Sequence, residues 1–358
     1  MEMRKLLFRQ EGQTLISYAL LISIFVFTIV FSFPNLRDST KGVFNKVAAA
    51  LSLSNDNSND LPIDGENPDN ENPGFINWYP PELNINDTNA IYSAGNIKLT
   101  GSAQIYGNVV TNGKVITSWA SGVNGNILQN ANYNFNFPLP SYPDISGSSY
   151  TNKGSYTAGW WPPPTPITED GYYTNLKAVN ELIINTGSAG DVRTIVVDDF
   201  ELSGAGKITL SGEGKLVLVV NDKFNFTNNV SLNTSGIPEN VLIYYGGNDT
   251  LEFGQGHLVG SVYTQKSGVK FTGSTSVSGN LIVGGNSVAI ASGNVNLSDA
   301  LLYAPNSNLE LTGSSSIEGK IIANSIEASG ASKITFKPVS LDDDFIWEIK
   351  KSIKRVLL

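Results

Sequence analysis

The sequence predicts a mainly β protein: a single-stranded parallel β-helix (β-solenoid) with an N-terminal transmembrane α-helix and a short C-terminal helix. Three observations carry this. A 19-residue apolar core runs from Leu15 to Phe33. A repeat of short apolar strands split by Gly, Asn or Ser recurs about every 20 residues. Composition suits turns and strands, with 35 glycines, 15% charged residues and no cysteine.

The apolar core comes first. As a helix it spans about 28 Å, close to the hydrocarbon thickness of a bilayer. Its polar side chains, Ser17, Ser23, Thr28 and Ser32, carry hydroxyls that can bond back to the helix backbone. Pro34, Asn35 and Leu36 follow in place of a small-x-small cleavage site, so the segment reads as an anchor and not as a cleaved secretory signal. Arg4, Lys5 and Arg9 precede it and Arg37, Lys41 and Lys46 follow, which nearly balances the charge bias that sets orientation. Beyond Pro34, the apolar residues Val43, Phe44, Val47, Ala48 and Leu51 keep helical spacing to Leu53.

The run Gly12-Gln13-Thr14-Leu15-Ile16-Ser17-Tyr18 resembles the prepilin processing site of the Flp/Tad branch of type IV pilins. That family reads Gly, four residues, Glu, Tyr, then an apolar helix. The resemblance covers about 40 residues and implies a leader over 1–12, cleavage after Gly12 by a prepilin peptidase, Gln13 as the new amino terminus, and a pilin-like helix over 13–53. It also implies other pilin or pilus-assembly subunits as partners. The sequence departs from the family at Ser17, where pilins carry a glutamate that neutralises a neighbouring subunit's amino terminus. A lone buried charge is costly, so the departure points to a minor or tip subunit and away from the repeating major one.

Residues 54–82 read as an acidic flexible linker. Asp56, Asp60, Asp64, Glu66, Asp69 and Glu71 lie among Asn, Ser, Pro and Gly with little to bury. The spacing of Asp56 and Asp60 lacks the glycine and distal glutamate of a calcium loop.

The solenoid is expected over 83–338. His257-Leu-Val-Gly-Ser-Val-Tyr, Ser276-Val-Ser-Gly-Asn-Leu-Ile, Asn296-Leu-Ser-Asp-Ala-Leu-Leu and Ser316-Ile-Glu-Gly-Lys-Ile-Ile are successive copies of one unit. Their turn residues Gly260, Gly279, Asp299 and Gly319 are spaced by 19, 20 and 20. Phe271-Thr-Gly-Ser, Leu311-Thr-Gly-Ser and Leu99-Thr-Gly-Ser mark a second recurring corner. One such unit cannot bury its own apolar residues, but stacked units bury a continuous column. Leu258, Ile282, Leu301 and Ile321 are the expected inward positions, and eight to ten rungs would give a rod of roughly 40–50 Å. This region resembles β-solenoid domains found behind pilin-like N-termini in bacterial pilus-assembly proteins. That resemblance rests on texture, implies an envelope or surface structural role, and transfers no catalytic residue.

A Pro- and aromatic-rich excursion is expected over 118–175, lying along the flank of the rod. Its rings are expected chiefly to pack the excursion onto the rod; the alternative is that Trp160, Trp161, Tyr172 and Tyr173, as candidate ligand contacts, stack on a surface glycan or anchor a protein partner. At the other end of the chain, Phe345, Ile346, Ile349, Ile353, Val356 and Leu357 fit one helical face, opposite Lys350, Lys351, Lys354 and Arg355. Residues 339–358 therefore read as a C-terminal helix that caps an open edge of the rod; the alternative for a basic amphipathic helix is contact with a membrane.

Chemistry has little to work with. The single histidine, His257, sits in a repeat strand, and there is no cysteine, so zinc sites and His-dependent triads lack ligands. No cofactor, metal site or catalytic residue is expected. A net charge of −9 argues against nucleic acid. One constellation supports an alternative: Asp198, Asp199, Asp222 and Asp249 recur in successive units and would approach one another on a stacked rod, as in β-helix enzymes acting on polysaccharides. The neighbouring Asn221 and Asn248 favour plain turns. A self-polymerising solenoid scaffold is a further alternative. The reading favoured by the sequence is non-enzymatic: a single-pass, membrane-anchored cell-surface protein, or a pilus subunit or adhesin, presenting a β-solenoid.

Overall fold

The structure, a computed structural model, describes residues 88–135, 137, 139, 150–291 and 294–338. The leader, the apolar segment Leu15–Phe33, the acidic linker 54–82 and the C-terminal segment 339–358 lie outside these residues. Among the described residues, no helix is long and apolar enough to cross a membrane.

The described chain is a parallel β-solenoid with three faces per rung. In one rung Val241–Tyr245, Leu251–Phe253 and Gly256–Val259 follow one another. Each pairs in parallel with its equivalent in the next rung: Ser261–Thr264, Val269–Phe271 and Thr275–Ser278. The predicted repeat is the rung itself, with His257, Ser276, Asn296 and Ser316 in register. Gly279 and Gly319 take positive φ at the corner, and Asp299 adopts the same sign at its equivalent position. A side chain at Gly319 would drive its Cβ into the Ala300 carbonyl, so the close approach of two rungs requires glycine there.

Three inward columns fill the rod. On the first face Ile195, Leu218, Ile243, Val262, Leu281, Leu302, Ile321, Ile91 and Val109 stack in register. On the second face Phe226, Phe253, Phe271, Ile290 and Leu311 do so, with Phe253 and Phe271 stacked at 5.0 Å. The third column runs through Leu232, Leu258, Val277, Leu297, Ile317, Ile334 and Ile105. All are buried in one apolar cluster, which is how a rod without disulfides holds together.

Two of the four expected inward positions are corrected. Leu258 and Ile321 belong to the inner core, but Ile282 and Leu301 point the other way, into a second apolar cluster on the outside of the first face. That outer column runs Val196, Val219, Tyr244, Tyr263, Ile282, Tyr303, Ile322, Tyr92 and Val110. Strands such as Val241–Tyr245 are buried along their whole length. A continuous apolar run marks a strand covered on both sides, and alternation cannot say which side is the core. The cover comes from the excursion. Ala131, Tyr133, Phe135, Phe137 and Leu139 pack on this outer column, with Tyr133, Phe135 and Phe137 in edge and tilted ring contacts. Asn112 fixes the start of the strap by bonding both the carbonyl and the amide of Tyr133.

Rung order does not follow chain order. The first strands, Asn89–Ser93 and Ile97–Leu99, pair with Ser316–Ala328 near the end of the chain. Asn108–Thr111, Val115–Thr117, Gly122–Asn124 and Ile127–Leu128 stack beyond them. The chain then passes to the opposite end, where Asn152–Ala158 pairs with Gly171–Ala178, and returns rung by rung. From Ile127 to Gly171 the first face makes ten successive pairings, about 48 Å of rod at about 4.8 Å each.

Candidate functional site

Trp160 and Trp161 follow directly from Asn152–Ala158, the rung at one end of the rod. Both rings face solvent, at 70% and 86% exposure. The backbone on each side of them is held. Asn180 donates its amide to the Gly159 carbonyl at 3.4 Å, and the Tyr156 hydroxyl donates to the Thr165 carbonyl at 2.7 Å. A run of three prolines, Pro162 to Pro164, stiffens the segment after the indoles. The result is a pair of exposed aromatic rings on a pinned, proline-stiffened turn. Such a pair loses little conformational entropy on meeting a partner and offers apolar faces for sugar rings or side chains.

Tyr172 and Tyr173 take other roles. Tyr173 is buried in the inner core with its ring edge-on to Tyr156 at 6.5 Å, and burial pushes its phenol above the ordinary range. Tyr172 packs against the outer column and donates its hydroxyl to Asp198. That bond to a carboxylate raises the Tyr172 phenol. Only the two tryptophans of the four candidates present their rings to solvent.

The acidic series does not gather. A register shift between Val197 and Asp199 sets Lys223 opposite Asp199, where their side chains approach to 3.8 Å. Asn221, and not Asp222, meets Asp198, donating to its carboxylate at 3.0 Å. Asp222 and Asp249 are exposed. One carboxylate is thus held by a phenol and an amide and another faces a lysine, which is not the paired-carboxyl geometry of glycoside hydrolysis. Among the described residues no group of three or more His, Asp or Glu side chains is arranged to hold a metal ion. His257 lies on the outward side of the third face, between Ser231 and Ser276.

A groove of about 460 Å³ on the second face was not foreseen. Asn96, Lys98 and Ile116 from the amino-terminal rungs line it together with Asn308, Glu310 and Glu327. Lys98 and Glu327, register partners on neighbouring strands, form an ion pair in its lining, and Asn324 and Ser325 both donate to the Asn308 side-chain oxygen, at 3.0 and 2.8 Å. The groove joins segments more than 200 residues apart, and nothing local in either stretch marks it.

The processing residues Gly12, Gln13, Ser17 and Tyr18 lie outside the described residues.

Residues 163–301, less than half of the chain, match the model of a family described as a domain of unknown function (DUF7305). No curated protein sequence matches the chain. Two solved structures are similar at low overlap. An ice binding protein from an Antarctic Biological Consortium shares 14% identity over 71% of this chain and 90% of its own, with a TM-score of 0.25. The DUF3494 domain of ice-binding protein_1 from Shewanella frigidimarina shares 12% identity over 72% of this chain and 97% of its own, with a TM-score of 0.24.

Proposed function

We propose that this chain is a membrane-anchored, pilin-like surface protein, a minor or tip subunit or an adhesin, whose β-solenoid presents Trp160 and Trp161 to a glycan or protein partner. In this reading the helix over Leu15–Phe33 holds the protein in the membrane or in a filament core. The tether over 54–82 then carries the rod outside the cell. The role is binding and not catalysis.

One observation supports it most. The chain enters the solenoid at Asn89–Ser93, and the tryptophan pair belongs to the far end. Along the first face Ile91 and Gly171 are eight pairings apart, about 38 Å. A rod gripped near one end and bearing exposed indoles at the other has the layout of a presenting device.

Two measurements test this. Mass spectrometry of the protein from its native cells is expected to find Gln13 as the mature amino terminus. A start at Met1 would remove the pilin half of the reading and leave an anchored solenoid. Binding of whole cells to a glycan array and to host or neighbour cells is expected to fall about tenfold or more when Trp160→Ala and Trp161→Ala are combined, since buried aromatic anchors carry about 2 kcal/mol or more at interfaces. Unchanged binding with an intact fold would remove the tryptophan pair from the site.

A further inference from the structure

One outward row of the second face matches each of its carboxylates with a lysine, save one. Glu201 meets Lys177 at 2.7 Å, Glu252 meets Lys270 at 2.8 Å and Glu327 meets Lys98 at 2.5 Å, each pair in register. Glu310 has Ala289 and Glu327 as its register neighbours. Among the described residues it has no hydrogen-bond or ion-pair partner. The groove of about 460 Å³ lies at this break. Ala289, Glu310, Glu327, Lys98 and Ile116 line it in register over five successive rungs, about 19 Å of rod. Six further pairings separate Ala289 from Thr157 on the strand that leads into the tryptophans, about 29 Å.

We propose that this groove is a second binding site and that it takes a linear, uncharged glycan lying along the rod. Two asparagines in its lining are preset as donors. The Asn308 side-chain oxygen accepts from Asn324 and Ser325, and that of Asn96 accepts from the Lys114 backbone amide at 2.9 Å. With each carbonyl engaged, each side chain keeps an NH2 group that has no partner among the described residues. Glu310 adds an unanswered acceptor, and Ile116, 49% exposed, adds an apolar surface at one end. Sugar hydroxyls donate and accept, and the sugar ring has an apolar side, so a glycan meets all three. An acidic glycan would set its carboxylates against Glu310 and Glu327, which Lys98 alone offsets. An extended peptide finds no strand edge to join, because Ser287–Ile290, Ile97–Leu99 and the strands between them are each paired on both sides. The small side chains Ala289, Ser287 and Ser325 keep the groove open to a chain of rings.

Isothermal titration calorimetry of the full chain in a polyoxyethylene detergent, which carries no sugar, tests this. The chain carries Trp160→Ala and Trp161→Ala throughout, so the indoles contribute nothing and the two sites are judged separately. Cellohexaose, mannohexaose and N-acetylchitohexaose are the probes, with hexagalacturonic acid as the acidic comparison and hexalysine as the peptide. At least one neutral hexasaccharide should bind saturably, and more tightly than either comparison. Adding Asn308→Ala with Glu310→Ala should weaken it about tenfold or more, through the loss of two or more hydrogen bonds. Ala289→Arg, which puts a long side chain in the groove and a cation beside Glu310, should do the same. All three positions are on the outward side of the rod, so circular dichroism should not change. Three results would overturn the assignment: no binding of any neutral probe, equal affinity in the altered chains, or tighter binding of hexagalacturonic acid or hexalysine.

Discussion

Replacing Phe253 by alanine is expected to destabilise the solenoid by about 3–5 kcal/mol, the range for emptying a fully buried aromatic site. Phe253 has no solvent exposure and sits in the middle of a ladder. Phe271 stacks on it at 5.0 Å, Phe226 meets it at 5.5 Å and Phe224 at 5.7 Å. The rungs above and below are fixed by parallel pairing, with Phe226 and Phe271 in register with it. They cannot close on the vacancy without breaking that register, so the cavity term should be large. Phe253→Leu keeps most of the volume and should cost about 1.5 kcal/mol or less. Urea unfolding followed by circular dichroism reads both. A Phe253→Ala loss below about 1 kcal/mol would mean the ladder relaxes and is not a rigid column. Because each rung contacts its neighbours, the weakened amides should cluster in 224–271.

The second large effect is alkaline unfolding driven by the tyrosines of the first face. Burial pushes the phenols of Tyr245 and Tyr263 up to about 12, and nearby Asp249 and Asp222 add to the rise at Tyr245. Burial holds Tyr303 higher still. In the unfolded chain a tyrosine titrates near 10. The sign follows from linkage: the fold binds the phenolic proton more tightly than the unfolded chain does, so the stability these groups contribute is complete below about pH 10. It is lost as pH rises from there through about 12. A rise of about two units corresponds to roughly 3 kcal/mol for each group. Loss of β-sheet ellipticity and growth of phenolate absorbance should therefore coincide in one transition between pH 10 and 12. Tyr263→Phe should flatten the pH dependence in that window. Ionisation of all 14 tyrosines near pH 10 with the fold intact would contradict the burial of Tyr245, Tyr263 and Tyr303.

The rung was readable in the sequence because its signals are local. The corners at Gly260, Gly279, Asp299 and Gly319 and the short apolar runs between them fixed the period, and the observed register of His257, Ser276, Asn296 and Ser316 follows it. What escaped depends on distant contacts. Ile282 and Leu301 look like core residues, and they are buried, but against a strap supplied from 131–139. The four aspartates recur in successive units, yet Asn221 meets Asp198, and a register shift between Val197 and Asp199 sets Lys223 opposite Asp199. The tryptophan pair was legible because exposed indoles beside prolines stand out in a chain of small polar residues. Tyr172 and Tyr173 belong to the same aromatic stretch, but they sit on Gly171–Ala178, whose strand pairing turns Tyr173 inward and leaves Tyr172 against the flank.

The seating of Asn89–Leu128 on Ser316–Phe336 also sets a timetable for the polypeptide. The first rungs to be made can pair with each other, but they have no rod to join until the last ones exist, so seating them requires a contact spanning more than 200 residues. A polypeptide halted before Ser316 would leave Ile91, Ile97 and Ile105 open to water on the side that Ser316–Phe336 covers. The joining of the amino-terminal rungs to the rod is therefore expected last, after the consecutive rungs of the middle have formed.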